Sequence, residues 1–332
     1  MSKCLIGLTL GGRFPKDIRD YLEAHRVEVI ENPYGRKLNE DEVIELIKDC
    51  DATLAAAEPY TKRVIDSAKR LKIIARMGVG YDNVDLKAAT EKGIFVTWTP
   101  IPELAYAMAE HTMALILTFV KRIPYMNQEI RKGIWEPEKW GIKVEDLYHL
   151  TLGLLGLGRI GGEVAKRAKT FGMNLIYYDI VRRKDLEESL GIKYVSFDEL
   201  LAQSDILSIH TPLTPETKGI INEQAISKMK KNAIIVNTAR GAIIDEEALS
   251  KALIENKIAG ACLDVLSEEP PTKSHVFYKL GDKIPNLIFT PHLGYGQYTG
   301  RVMGITAAEE VIRVLSGEKP KYLLNTEVLS KR

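Results

Sequence analysis

The stretch TLGLLGLGRIGGEVAKRAKTFGMNLIYYD, residues 151–179, decides how the chain is read. An apolar run at 152–155 leads into Gly156-Leu157-Gly158-Arg159-Ile160-Gly161. A helical pattern follows to Gly172, and a second apolar run at 175–178 stops at Asp179. The order is strand, glycine-rich turn, helix, strand, carboxylate. Gly156 permits a tight turn, Gly158 lets backbone approach a pyrophosphate, and Gly161 lets the helix pack close. The helix N-terminus adds unpaired amides and a favourable dipole. Asp179 stands where a carboxylate accepts both ribose hydroxyls of NAD. The six-residue glycine motif alone reads equally as a turn in any α/β domain; strands, helix and acid in register favour a dinucleotide site.

Working outward, 332 residues leave room for two domains, each with its own core. Apolar content of 45% with 27% charged residues describes a globular chain, not a disordered one. A formal net charge of +1 gives no field to recruit nucleic acid or an acidic membrane. The expected partner is therefore a small molecule. Cys4, Cys50 and Cys262 have no metal-ligand spacing and sit among apolar neighbours, which predicts buried thiols in a reducing compartment and no metal site. The N-terminus reads as a strand without a signal-peptide pattern, and no apolar run reaches about 18 residues. A cytoplasmic protein is expected.

Residues 3–100 alternate short apolar runs with amphipathic ones. Strands are predicted at 4–10, 27–30, 52–57, 73–77 and 95–97, with helices near 15–25, 40–49, 61–68 and 84–92. Such alternation predicts a second parallel sheet with helices on both faces. It holds no glycine-rich dinucleotide motif, so a different task is expected of it. Within it, Arg76-Met77-Gly78-Val79-Gly80-Tyr81-Asp82-Asn83-Val84-Asp85 places two glycines at the carboxyl end of a strand, where amides can hold an anion. The alternative is an ordinary strand-to-helix turn with Asp82 or Asn83 as N-cap, and a surface ion pair for Arg76. Residues 101–133 read as one long helix, broken or kinked at Pro124, connecting the two domains. Glu110 and His111 have no second ligand one turn on and read as structural.

After Asp179 four more strands are expected, at 206–210, 233–238, 260–265 and 287–290. Their carboxyl ends read Thr211-Pro212, Thr238-Ala239-Arg240-Gly241, Asp264-Val265 through Glu269-Pro270, and Thr290-Pro291-His292-Leu293-Gly294. In a doubly wound sheet such ends converge, bringing an Arg, an acid and a His together. A helix at 298–316 and the tail to Arg332 are expected to return to the first domain.

These endings, with the glycine turn before them, resemble the NAD-dependent D-isomer specific 2-hydroxyacid dehydrogenase family. Residues 76–85 resemble its substrate-loop signature, 237–246 its NxARGxxxDExxL block, 263–270 its LDVxxxEP block and 290–294 its TPHxG block, so the likeness covers nearly the whole chain. The phosphoglycerate dehydrogenase and hydroxypyruvate or glyoxylate reductase branches are the most similar in appearance. The resemblance implies two doubly wound domains. One is a flavodoxin-like substrate domain of residues 1–100 plus 293–332, the other a Rossmann NAD-binding domain of residues 101–292. It implies catalytic Arg240, Glu269 and His292, and substrate contacts at Arg76, Val79, Gly80 and Arg240. It implies NAD(H) contacts at Thr99, Arg159, Ile160, Asp179, Thr211, Pro212, Thr238, Ala239, Asp264 and Gly294, beside the three glycines. It also implies a homodimer through the connector helix and the Trp135 to Trp140 loop, with one of those rings over a neighbouring subunit's substrate. Glu103 departs from the family, which commonly has Asn there. No regulatory domain of the kind that long phosphoglycerate dehydrogenases carry is expected.

The chemistry of the residues agrees. Reducing a 2-oxo acid needs a hydride, a proton for the oxygen and a cation for the carboxylate. Histidine, with a reference pKa of about 6.5, is the natural proton donor. A neighbouring carboxylate favours its charged form, and arginine is a permanent charge for a carboxylate. Asp179 would repel a 2′-phosphate, which predicts NAD(H) over NADP(H), unless Arg182 and Arg183 fold back to compensate. The competing readings are a phosphite-type or formate-type dehydrogenase, and a non-catalytic NAD(H)-sensing binding protein of the C-terminal-binding corepressor type. Formate dehydrogenases usually have Gln where Glu269 stands.

Overall fold

The computed structural model describes residues 1–7, 16–141, 143–281 and 286–331, and the strands paired among them form two sheets, each parallel throughout. They belong to two units, Met1–Leu104 with Tyr295–Arg332, and Ala105–Gly294. Among the described residues no helix is long and apolar enough to cross a membrane.

The first unit alternates β1 (Ser2–Ile6), α1 (Lys16–Ala24), β2 (Val27–Glu31), α2 (Glu40–Ile47), β3 (Ala52–Ala55), α3 (Lys62–Ser67), β4 (Ile73–Arg76), α4 (Leu86–Glu91) and β5 (Phe95–Thr97). Its strand order is β2-β1-β3-β4-β5, the flavodoxin-like arrangement. Both faces are covered, as a parallel sheet requires. In β1, Leu5 packs with Val43, Ile47 and Val64 on one face, while Cys4 and Ile6 pack with Ile18 and Leu22 on the other. Residues 8–15 lie outside the described residues, and with them the end of the strand expected at 4–10 and the start of the helix expected at 15.

The second unit begins within α5 (Pro102–Val120) and continues through α6 (Ile123–Arg131), α7 (Pro137–Gly141), β6 (Thr151–Leu155), α8 (Arg159–Thr170), β7 (Asn174–Tyr178), α9 (Lys184–Leu190) and β8 (Lys193–Tyr194). Then come α10 (Phe197–Gln203), β9 (Ile206–Ile209), α11 (Glu223–Ser227), β10 (Ile234–Asn237), α12 (Glu246–Ile254), β11 (Gly260–Leu263), α13 (Val276–Leu280) and β12 (Leu287–Phe289). The order β12-β11-β10-β9-β6-β7-β8 is the Rossmann arrangement, reversing direction between β6 and β9. Leu152 and Leu154 face one core layer with Val236 and Cys262; Leu207, Ile209 and Ile235 face the other. The chain returns to the first unit as α14 (Gln297–Leu315), packed on α1, β3 and β4. All three cysteines are buried free thiols.

Several expected details change. The helix of 101–133 is two helices: α5 ends at Val120, Arg122 turns left-handed at φ 53°, and Pro124 takes the first turn of α6, where its missing N–H costs nothing. Trp140 lies in α7, not in a loop. The N-cap of α4 is Asp85, which accepts from Ala88 N–H, rather than Asp82 or Asn83. Asn83 instead donates its amide to the Ala56 and Glu58 carbonyls. The two-residue edge strand β8 is too short for its periodicity to show in sequence.

The last segment is fastened to the edge strand by backbone bonds, Leu324 N–H to the Val96 carbonyl and Trp98 N–H to the Tyr322 carbonyl, and by one buried side chain. Asn325, buried, accepts from Val96 N–H at 2.8 Å and donates to the Ile94 carbonyl at 2.9 Å and Thr90 Oγ1 at 3.0 Å. Asn325→Ala leaves an amide and a carbonyl buried without partners, at roughly 1–3 kcal/mol each. Its urea midpoint should fall well below that of wild type; an unchanged midpoint would show that the tail is not held this way.

Candidate active site

The glycine turn of residues 156–161 follows from close backbone packing. Gly156 has φ +95°, and a Cβ there would meet His210 and Thr211 backbone at 2.9 Å, so the end of β6 and the end of β9 abut. A Cβ on Gly161 would sit 2.3 Å from the Gly156 carbonyl oxygen, which excludes any other residue. At Gly158 no described protein atom lies within 4 Å of that position. Gly158 is also the N-cap of α8, so the N-terminal, positive end of that helix dipole opens onto the glycine turn, where an anion is favoured.

Asp179 closes the far side of the turn. Its Oδ2 accepts from Leu157 N–H at 2.7 Å and its Oδ1 from Val181 N–H at 3.0 Å. Each oxygen keeps a further lone pair for a hydroxyl donor. The two arginines beyond it have carboxylate partners of their own. Arg182 holds Glu187 at 2.8 and 2.9 Å, and with the Tyr177 hydroxyl it holds that carboxyl down at about 2. Arg183 pairs with Asp185 and does fold back, but onto the Leu157 carbonyl at 3.0 Å.

The ends of β10, β11 and β12 form the second part of the site. Asn237, fully buried, donates to the Arg240 carbonyl and accepts from Ala239 N–H, which shapes the turn presenting Arg240. A Cβ on Gly241 would lie 1.9 Å from the Leu266 carbonyl carbon, so this turn rests backbone to backbone on the turn that carries Glu269. Asp264 organises the third turn. Its Oδ1 accepts from Thr290 Oγ1 at 2.6 Å and Leu293 N–H at 3.1 Å, and its carbonyl accepts from His292 N–H at 2.8 Å. His292 is held left-handed at φ 53°. A Cβ on Gly294 would collide with Met108 and crowd Asp264. Thr238 Oγ1 lies 3.1 Å from Thr112 Oγ1.

His292 Nδ1 lies 2.6 Å from Glu269 Oε2, and Glu269 Oε1 accepts from Leu266 N–H at 2.9 Å. Burial pushes the Glu269 carboxyl up, but the hydrogen bond and charge of His292, the Leu266 amide and the Arg240 guanidinium outweigh it, leaving the group below its ordinary value. An ionised carboxylate only accepts, so Nδ1 carries a proton and Nε2 is the atom left for exchange. The pair is half-exposed and within reach of a small molecule. His210 differs: burial pushes it down to about 3, and the neutral ring bonds Ser208 Oγ at 2.8 Å.

Arg76, Val79, Gly80 and Thr99 lie in the first unit. Arg76 is buried, which overturns the surface ion pair expected as one reading. Nε and Nη2 donate to the Gly80 carbonyl and Nη1 to the Ala55 carbonyl. Thr99 Oγ1 accepts from Gly78 N–H at 2.7 Å. Both residues therefore shape the glycine loop. Glu103 stands in the first turn of α5. His111, read as structural from the sequence, has its Nε2 3.2 Å from both Thr290 Oγ1 and Asp264 Oδ1, a place in the Asp264 cluster that the sequence did not show. No local signal marks it, because its partners are far off in the chain. Among the described residues no cluster of His, Cys, Asp and Glu could hold a metal ion.

The residues present fit a dinucleotide. The turn and the α8 N-terminus suit a pyrophosphate, and Asp179 suits ribose hydroxyls. Asp264 Oδ2 is buried with no partner among the described residues, a demand for a donor that the carboxamide of a nicotinamide can meet.

Comparison with known proteins agrees with this geometry. Residues 113–294 match the family described as D-isomer specific 2-hydroxyacid dehydrogenase, NAD binding domain. The chain is 41% identical over 294 residues to a glyoxylate reductase of Korarchaeum cryptofilum, covering 87% of each chain. It is 42% identical over 301 residues to a D-3-phosphoglycerate dehydrogenase of Methanocaldococcus jannaschii, covering 90% of this chain and 56% of that longer protein. A crystal structure of a Thermus thermophilus protein superposes with a TM-score of 0.85 at 37% identity, covering 97% of this chain and 99% of that one.

The depressed carboxyl of Glu269 ties stability to pH. With its folded value below the unfolded one, its contribution is complete above the ordinary value of about 4.3 and is lost as pH falls through the folded value. Over that acidic interval the unfolding midpoint of wild type should decline relative to Glu269→Gln. A difference that stays constant there would sink the linkage.

Proposed function

The chain belongs to the D-isomer specific 2-hydroxyacid dehydrogenase family and is an NAD-dependent oxidoreductase; on that premise we propose that it interconverts a small 2-oxo acid and its D-2-hydroxy acid, with His292 as the proton donor and acceptor. The observation that carries this reading is the 2.6 Å bond between His292 Nδ1 and Glu269, at the carboxyl ends of neighbouring parallel strands and beside the turn of Arg240. NADH, when bound, supplies the hydride. Arg240 binds the substrate carboxylate and draws charge toward it. His292 Nε2 gives its proton to the carbonyl oxygen in reduction and takes it back in oxidation. Glu269 opposes the positive charge of the imidazolium and fixes the ring through Nδ1.

The binding groups divide by unit. Gly156, Gly158, Arg159, Ile160 and Gly161 hold the pyrophosphate, Asp179 the ribose, and Asp264 the carboxamide, with Thr211, Pro212, Thr238, Ala239 and Gly294 lining the same sheet edge. In the first unit, the loop of Val79 and Gly80 suits an anion, and Arg76 and Thr99 hold that loop in shape. Among substrates we place glyoxylate and hydroxypyruvate ahead of 3-phosphohydroxypyruvate. Glyoxylate is the substrate named for relatives of Korarchaeum cryptofilum, Thermococcus litoralis and Thermofilum pendens that are 41–42% identical to this chain.

NADH oxidation should follow addition of glyoxylate or hydroxypyruvate, and His292→Ala should lower kcat by about 10²–10⁴-fold while still binding NADH. Full turnover in that variant, or none in wild type with any 2-oxo acid, overturns the assignment. We also propose a homodimer through the connector, α5 and α6, and the segment from Trp135 to Trp140, because Ile123 and Ile130 of α6 and Trp135 are apolar and exposed. Sedimentation should then give twice the chain mass at assay concentration. A fully active monomer would count decisively against it.

A further inference from the structure

Glu246 is the first residue of α12, a position where an acid ordinarily faces solvent and complements the helix dipole. Here the side chain is only 10% exposed and is directed away from its own helix. Oε1 accepts from Ser267 N–H at 2.8 Å, and Oε2 accepts from Ser267 Oγ–H. Oε2 also lies 3.0 Å from Nε2 of His275, itself 5% exposed. Nδ1 of that ring accepts from Phe277 N–H, so Nε2 carries the proton and donates to Glu246. A buried carboxylate is costly unless its lone pairs are met, and three donors meet them here.

Two of these donors belong to the turn that carries Glu269, and the third steadies their acceptor. Ser267 lies between Leu266, whose amide bonds Glu269 Oε1, and Glu269 itself. On the other side of the same turn, Gly241 packs against the Leu266 carbonyl carbon, with no room for a side chain. The turn holding Glu269 is thus gripped from the start of α12 by Glu246, which His275 at the start of α13 in turn holds in place. We propose that Glu246 and His275 are positioning residues of the reaction, fixing through Ser267 the turn that aims Glu269 at His292. The inference rests on the catalytic reading of Glu269 and His292 given above.

A double-mutant cycle separates positioning from general support. Glu246→Gln keeps the size but turns one acceptor into a donor facing the Ser267 donors. Assayed with NADH and glyoxylate or hydroxypyruvate, whichever wild type turns over, it should lower kcat roughly ten-fold to a hundred-fold. The Kd for NADH, read from quenching of protein fluorescence, should stay within about two-fold of wild type. In a Glu269→Gln background the same substitution should change kcat by less than about two-fold, because there is no carboxylate left to aim. Ser267→Ala, which removes only the hydroxyl, should give a smaller loss with the same non-additivity, and it serves if Glu246→Gln does not fold. Equal losses in both backgrounds, or full kcat in Glu246→Gln, would overturn the positioning role and leave the catalytic reading standing. Full kcat in Glu269→Gln alone would overturn the catalytic reading, and the proposal with it.

Discussion

The carboxylate of Asp264 is the tie on which the reactive end of the second unit depends. It sits at the end of β11, wholly buried, and draws in the hydroxyl of Thr290 and the amide of Leu293 from the turn after β12. Its carbonyl takes the amide of His292. One residue thereby sets the backbone on both sides of the histidine. His111, reaching in from α5, closes the same cluster. A buried ionic group is a poor way to gain stability but a good way to specify one arrangement, because each alternative leaves donors unmet.

Parallel pairing explains why so few residues suffice. When β9, β10, β11 and β12 run side by side, their carboxyl ends fall along one edge without further design. What remains is to bring each turn close to the next. The chain does this by removing side chains. Gly156 lets β6 touch the end of β9, Gly241 lets the arginine turn rest on the glutamate turn, and Gly294 makes room for Met108. The first two are backbone contacts, and they tolerate less movement than contacts between flexible side chains.

The fold was legible because its signals are local. Strand, glycine turn, helix and acid follow one another within residues 151–179, and each strand of the second sheet from β9 onward ends in a polar or proline-bearing stretch. That an acid and His292 meet was legible from the convergence of strand ends in a doubly wound sheet; that the acid is Glu269 came from the motifs that the resemblance supplied. What stayed hidden was non-local or reversed a local rule. His111 read as structural because no second ligand stands one turn on, and its place in the Asp264 cluster could not be seen because its partners are residues 264 and 290. Arg76 read as a surface charge or an anion ligand, yet its fork faces backbone carbonyls inside the unit. Asp85 displaced Asp82 and Asn83 as N-cap because Asn83 is engaged by Ala56 and Glu58, a contact that only the fold creates.

In its proposed role as proton donor, His292 has to satisfy two conflicting demands. To meet substrate it must stay accessible, and a half-exposed ion pair in water contributes little stability of its own. To act it must keep one orientation. A non-glycine residue held left-handed adds a cost of order 1–3 kcal/mol. The exposed pair cannot offset that cost, so the compensation must come from buried bonds beneath it: His292 N–H on the Asp264 carbonyl, Leu293 N–H on the Asp264 carboxylate, and Leu266 N–H on Glu269. Orientation is thus secured where water is excluded, while the ring itself stays half-exposed.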